Sequence, residues 1–177
     1  QEILSIKKAK DITTIFFSSI GDYTTFDTNV SPAKNKYRLL IKDLADYAIV
    51  GLHPSYFTMK DAAMLKKEKE RLENITNAPV IRSRQHYLRF NLPETYQQLI
   101  DLEIEEDHSM GYASAAGFRA STCTPFYFYD LDFEIQTPLK VFPFALMDTT
   151  LNDYMKLTPK QSLGKIRDLR NEVKAVN

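Results

Sequence analysis

Cys123 is the only cysteine in this sequence. An intramolecular disulfide framework is therefore excluded, and the composition fits a reducing compartment, so a cytoplasmic location is expected. Neither sign of charge is in excess: Lys plus Arg and Asp plus Glu number 23 each, for a net charge of zero. A phosphate-backbone binder needs a basic surface to displace counterions, which argues against nucleic acid as a partner. No apolar run approaches the roughly 20 residues that cross a bilayer, so no membrane span is expected. The sequence also lacks an internal repeat, a low-complexity tract and any local metal-ligand signature of the HExxH kind. It shows no secretory signal and does not begin with methionine. It opens in what reads as the end of one helix and closes inside another, so a fragment of a longer chain, truncated at both ends, is expected.

What is present suffices for one core. At 177 residues with 44% apolar content, a single domain over 1–177 is expected. The most informative stretch is Gly51-Leu52-His53-Pro54-Ser55-Tyr56. An apolar, β-branched run, Ala48-Ile49-Val50, leads directly into a histidine, breaks at a proline, and restarts as a long helical pattern at Thr58. A histidine where a buried strand gives way to a helix stands where open α/β sheets and barrels build their sites. The alternative is a hydrogen-bonded histidine at a strand end with no further role.

Around that stretch the chain alternates. Residues 1–10 read as helix, with Ile3, Leu4 and Ile6 apolar and lysines at the C-terminal end, where the helix dipole favours them. A strand over 12–17 follows, then a polar loop over 18–35, long enough to be either functional or partly disordered. A helix over 36–47 should bury Leu39, Leu40, Leu44 and Ala45. Strand 48–53 ends at His53. The helix over 59–76 has Thr58 as N-cap and Asp61 three residues on, with Ala62, Leu65, Leu72 and Ile75 as its buried stripe. Its Lys66–Arg71 charge run reads as a solvated face laced with i,i+4 pairs. Strand 79–88, a helix over 93–102 opened by Pro93, strand 104–110 and strand 139–147 come next, and 149–177 is helical with a break at Thr158-Pro159. Strict alternation implies parallel strands joined by right-handed crossovers. The fold expected is α/β, either an open doubly wound sheet or an incomplete or distorted (β/α) barrel of fewer than eight strands.

The polar outliers gather at the ends of those strands: His53, Arg84, His86, Asp107, His108 and Asp148. In a parallel arrangement these ends face one rim. Histidines with one or two carboxylates are ligand types for a divalent transition metal such as zinc, which would acidify bound water and polarise a carbonyl. The bland alternative is that they decorate loops. Arg84 and Arg119 either orient a carboxylate and clamp substrate, or cover apolar surface with their stems. Tyr127 and Tyr129 either stack on a sugar ring or, beside Pro125, pack into the core. Cys123 has no histidine at an activating spacing.

Taken together, Gly51–Tyr56, Ser83-Arg84-Gln85-His86-Tyr87-Leu88-Arg89-Phe90, Pro93-Glu94-Thr95, Asp107-His108-Ser109-Met110-Gly111-Tyr112, Gly117-Phe118-Arg119-Ala120 and Pro125-Phe126 resemble a polysaccharide deacetylase. More narrowly, they are similar to the Bacteroidetes-type branch of the NodB-homology proteins (carbohydrate esterase family 4), over about residues 12–155. The resemblance implies a distorted (β/α) barrel and a divalent metal, usually zinc, held by one aspartate and two histidines. It implies a second aspartate as base on the metal-bound water, and a late histidine that protonates the departing amine of an N-acetylated amino sugar. His53 would be the first histidine ligand. The family's second lies four residues on, where this chain has Phe57, so His86 is the substitute expected here. Arg84 falls where the family places an arginine that orients the base, and Asp107 near an acidic motif that tunes the acid. Tyr56, Arg119, Tyr127 and Asp148 are the candidate carbohydrate contacts. The family's paired aspartates and its late leucine-histidine motif have no counterpart in this chain. A non-catalytic carbohydrate-binding or structural domain is therefore the alternative to a hydrolase.

Overall fold

The structure, a computed structural model, describes residues 2–176. The described residues form five α-helices and a six-stranded sheet, with α2, α3 and α4 packed on the strands: α1 (Glu2–Lys10), β1 (Ile15–Ser18), α2 (Asn35–Tyr47), β2 (Ile49–Leu52), α3 (Ala62–Thr76), β3 (Arg82–Ser83), α4 (Glu94–Asp101), β4 (Glu106–Asp107), β5 (Phe126–Asp130), β6 (Ile135–Val141) and α5 (Pro159–Val176). The strand order is β1-β2-β3-β4-β6-β5. Four neighbouring pairs are parallel and only β5–β6 is antiparallel. From β1 to β4 the strands are added in chain order without a reversal, which is barrel winding. A doubly wound sheet needs a switch point where the order turns back. The α/β fold is thus an incomplete barrel, with β1 and β5 as open edges. The curvature brings β1 and β4 face to face: the rings of Phe17 and His108 lie 5.3 Å apart.

The expectation of an all-parallel sheet is corrected at one edge. Phe126–Asp130, the aromatic run, forms β5 and pairs antiparallel to β6 through a hairpin, so Tyr127 and Tyr129 project into solvent while Phe128 is buried. Pro138 sits within β6 although proline cannot donate to a ladder. The register shifts between Tyr127 and Tyr129 at that level, and Thr137 Oγ1 donates to the Phe128 carbonyl at 2.8 Å instead.

Two helices bury different faces from those expected. In α2 it is Ile41 that is buried, with Tyr37 packed beside it, while Leu39 and Leu40 are exposed. The Tyr37 hydroxyl donates to the Ser19 carbonyl at 2.7 Å, which fixes the Tyr37–Ile41 side against the sheet. Residues 56–60 form a 3-10 turn, and α3 is capped by Asp61, whose carboxyl accepts from the Met64 N–H at 2.9 Å, rather than by Thr58. The α3 stripe is Leu65, Glu68, Leu72 and Ile75, so a glutamate from the charge run lies inside. The break before α5 stands as read: Thr158 and Gln161 close a capping box ahead of Pro159.

The core is built from Ile20, Ile41, Leu52, Leu65, Leu72, Val80, Tyr96, Leu99, Leu139 and Val141 among others. Gly51 is required where it stands. A Cβ there would sit 2.7 Å from the Phe17 ring and 3.1 Å from the Arg82 carbonyl oxygen.

Candidate functional site

Parallel pairing turns the residue after each strand onto one rim. His53 N–H bonds the Ser18 carbonyl, Arg84 the Leu52 carbonyl, His108 the Ser83 carbonyl and Phe142 the Asp107 carbonyl, each as the last rung of its ladder. Ladder geometry therefore sets His53 and Arg84 side by side, and His86 lies two residues further along. A cleft of about 690 Å³ opens there, lined by His53, Arg84, Gln85, His86, Tyr87 and Asp148 among others. Four residues singled out in the sequence, His53, Arg84, His86 and Asp148, meet in it.

The two imidazoles are 4.9 Å apart between ring centres. Each is tied down through Nδ1. His53 Nδ1 lies 2.5 Å from the Arg84 carbonyl oxygen, and His86 Nδ1 lies 2.8 Å from Asp27 Oδ1. Neither partner can donate, so in the neutral ring the proton sits on Nδ1 and the Nε2 lone pair is free. Burial holds His53 neutral, lowering its pKa to about 4 against an opposing bond to the Arg84 carbonyl. Tethering of Nδ1 with Nε2 left free is the arrangement that orients histidines as metal ligands.

Asp27 comes from the long loop between β1 and α2 and was assigned no role from sequence. It is 3% exposed. Its carboxyl accepts from Thr24 Oγ1 at 2.7 Å and from the Tyr56 N–H at 3.0 Å as well as from His86. Thr24 and Asp27 also close a backbone turn on one another, so the loop is locally ordered by its own polar groups. The one signal was an Asp three residues after a Thr in an overlong loop.

The next residue back, Ser55, is held from the other side. Its N–H and Oγ both donate to the buried carboxyl of Glu68 on α3. Burial raises the Glu68 pKa and the Ser55 bonds oppose that rise. His53–Tyr56 is thus clamped between Asp27 and Glu68.

Arg84 packs its guanidinium over the Phe144 ring at 4.2 Å and donates from Nη1 to the His108 carbonyl at 2.9 Å. Asp148 is exposed in the cleft and accepts from the Thr149 N–H.

The other residues expected at the site lie elsewhere. Asp107 is fully buried and does not line the cleft. It accepts from Ser83 Oγ, the Ser109 N–H, Ser109 Oγ and the Tyr96 hydroxyl. Burial raises its pKa and those donors counter the rise. His108 turns into the barrel interior between Phe17 and Phe142. Tyr56 lies behind the cleft wall, stacked on Phe26 at 4.0 Å with the Arg89 guanidinium 3.7 Å above it. Arg119 covers Phe90, and Tyr127 stands on the far edge strand beside Lys140. Phe57, at the position where the resembled family has a histidine, is exposed and packs edge-on to Tyr56. Among the described residues no group of three or more His, Cys, Asp or Glu side chains is placed to hold a metal ion.

No family model matches the sequence, and no curated protein matches it. The fold, by contrast, has a clear counterpart. A crystal structure assigned as a polysaccharide deacetylase, from Mycobacterium smegmatis, superimposes with a TM-score of 0.66 over 98% of this chain, at 14% identity. At that identity the likeness shows the fold alone. The chain spans 58% of the length of that structure. The class so defined is an α/β chain with a deacetylase-like incomplete barrel and a two-histidine cleft on its C-terminal rim. No helix among the described residues is long and apolar enough to cross a membrane.

Proposed function

We propose that this chain forms the core of a polysaccharide-deacetylase-like hydrolase that acts on the N-acetyl group of an amino sugar or a related carbohydrate amide. His53 and His86 supply two nitrogen donors to a divalent metal, zinc being the expected ion. The observation that carries this reading is the double tether: both Nδ1 atoms are occupied by acceptors, and both rings border one cleft. A metal held there would supply Lewis acidity toward an amide carbonyl and an acidified water. The chain's donors fit as a pair and go no further, because no third donor joins them among the described residues. No hydrolytic step is therefore routed through the ion.

The remaining groups have roles of their own. Arg84 is partly desolvated, which lowers its pKa, yet it stays a cation, and Asp107 nearby favours that charge. With one arm on the His108 carbonyl, its other N–H groups are available to substrate oxygens. Asp148, which lines the same cleft, offers an acceptor to sugar hydroxyls.

A second reading is favoured by Phe57 and by the incomplete donor set: a domain that binds saccharide without turnover. Acetate release from N-acetylated chito-oligosaccharides, measured with added zinc, tests the first reading. Release abolished by His53→Ala supports it. Oligosaccharide binding with no release of acetate from the unsubstituted protein supports the second.

A further inference from the structure

The two open edges of the sheet differ. No residue of β1 is exposed, and the curvature of the sheet turns Phe17 inward onto His108. β5 is the reverse case. Tyr127 and Tyr129 are 49% and 50% exposed, and Leu131, the first residue beyond the strand, is 80% exposed. Strand alternation puts both tyrosines on one face. The other face is held by α4: Phe128 packs edge-on to Tyr96 at 5.0 Å, and Asp130 accepts from Gln97 Nε2 at 2.7 Å.

Edges left in solvent are ordinarily blunted by lysine, by proline, or by a bulge that twists the edge strand away. β5 has none of these. It runs Phe-Tyr-Phe-Tyr-Asp, and its one charge, Asp130, is 2% exposed. The irregularity beside it belongs to β6, which passes from Lys140 to Gln136 while β5 advances only from Tyr127 to Tyr129. A bulge bends the strand that contains it, so β5 keeps a regular outer edge. The unpaired N–H and C=O groups along that edge are a template for a further strand.

We infer that β5 pairs antiparallel with β5 of a second copy of this chain, about a two-fold axis at Phe128. A two-fold interface requires a self-complementary surface. With Phe128 at the centre, Tyr127 of each copy lies opposite Tyr129 of the other, which makes two aromatic cross-strand pairs on one face. No charge on the strand points outward, so two copies meet without repulsion. Each backbone edge supplies the donors and acceptors that the other lacks. The half-exposed tyrosines, Leu131 and the edge backbone offer roughly 400–500 Å² per copy, near the lower limit for a specific interface once doubled. The dimer is accordingly weak, with a dissociation constant on the order of micromolar.

The test is sedimentation equilibrium of the full chain over roughly 1–200 μM, a range that brackets this constant. The unsubstituted chain passes from monomer to dimer across it. Tyr127→Glu with Tyr129→Glu sets like charges opposite each other at both cross-strand pairs and raises the dissociation constant at least about tenfold. Both positions are exposed, and a glutamate at 127 faces Lys140 on β6, so the fold is retained, as circular dichroism would show. Tyr127→Glu with Tyr129→Lys sets opposite charges across both pairs and restores an association that weakens with added salt. A chain that stays monomeric throughout overturns the inference, as does association undiminished by the double-glutamate variant. Failure of the glutamate–lysine variant to restore association overturns it as well.

Discussion

Asp27 and His86, 59 positions apart in the chain, are joined by a hydrogen bond of 2.8 Å from imidazole Nδ1–H to carboxyl Oδ1. The carboxyl also secures the Tyr56 N–H, so one buried side chain orients a ring of the cleft and anchors the turn that carries the other ring. Replacing Asp27 by Asn should lower zinc affinity by roughly 10- to 100-fold, the usual effect of losing a ligand's orienting partner. Stability should fall by about 1–3 kcal/mol, because the replacement leaves a buried donor badly placed. Metal titration and urea unfolding of the same variant separate the two effects.

Glu68 should matter for stability in a way that its charged neighbours on α3 do not. It is 2% exposed and takes both donors of Ser55. Glu68→Ala leaves the Ser55 N–H without its acceptor and opens space beside Gly21, for a loss of about 2–3 kcal/mol. Glu70→Ala, on the solvated face where only an exposed pair with Lys66 is at stake, should change stability by less than about 0.5 kcal/mol. Chemical denaturation midpoints decide between them.

Acid should destabilise the fold through His53. Its pKa is lowered from 6.5 to about 4 on folding, so the unfolded chain binds the proton more readily. Stability from this group is complete above pH 6.5 and is lost as pH falls from there toward 4, by up to about 3 kcal/mol. Glu68 works in the opposite direction, since burial raises its pKa. The comparison is therefore between the protein and His53→Gln: the difference in unfolding free energy between pH 7 and pH 4.5 should shrink in the variant. An equal pH dependence in both would remove His53 as its source.

The parts of this structure that could be read from sequence are those fixed by local order. The apolar run 48–52 ending in a histidine gave both β2 and its rim position, because a strand's last residue must turn where its ladder stops. Alternation of helix and strand led to the α/β class and to two candidate architectures, and the strand order β1-β2-β3-β4 then distinguished the incomplete barrel from the doubly wound sheet. What escaped depended on distant partners or on sheet edges. Asp27 meets His86 only after two crossovers, and nothing in the loop's composition reports that encounter. Glu68 completes a stripe at Leu65, Leu72 and Ile75, and the gap at 68 was the visible sign that a carboxylate is buried. The aromatic run at 126–129 has no helix after it, only a tight return into β6, so it pairs antiparallel and leaves two tyrosines in solvent. Asp107 sits at a strand end like His53. Its side chain faces inward, where two serines and a tyrosine hold it.

The most direct test of the account is cobalt or zinc titration of the intact protein beside His53→Ala and His86→Ala. Saturable binding of one equivalent, lost in either variant, with an absorption band from nitrogen-coordinated cobalt, is the predicted result. Absence of binding, or binding that survives both substitutions, would contradict it.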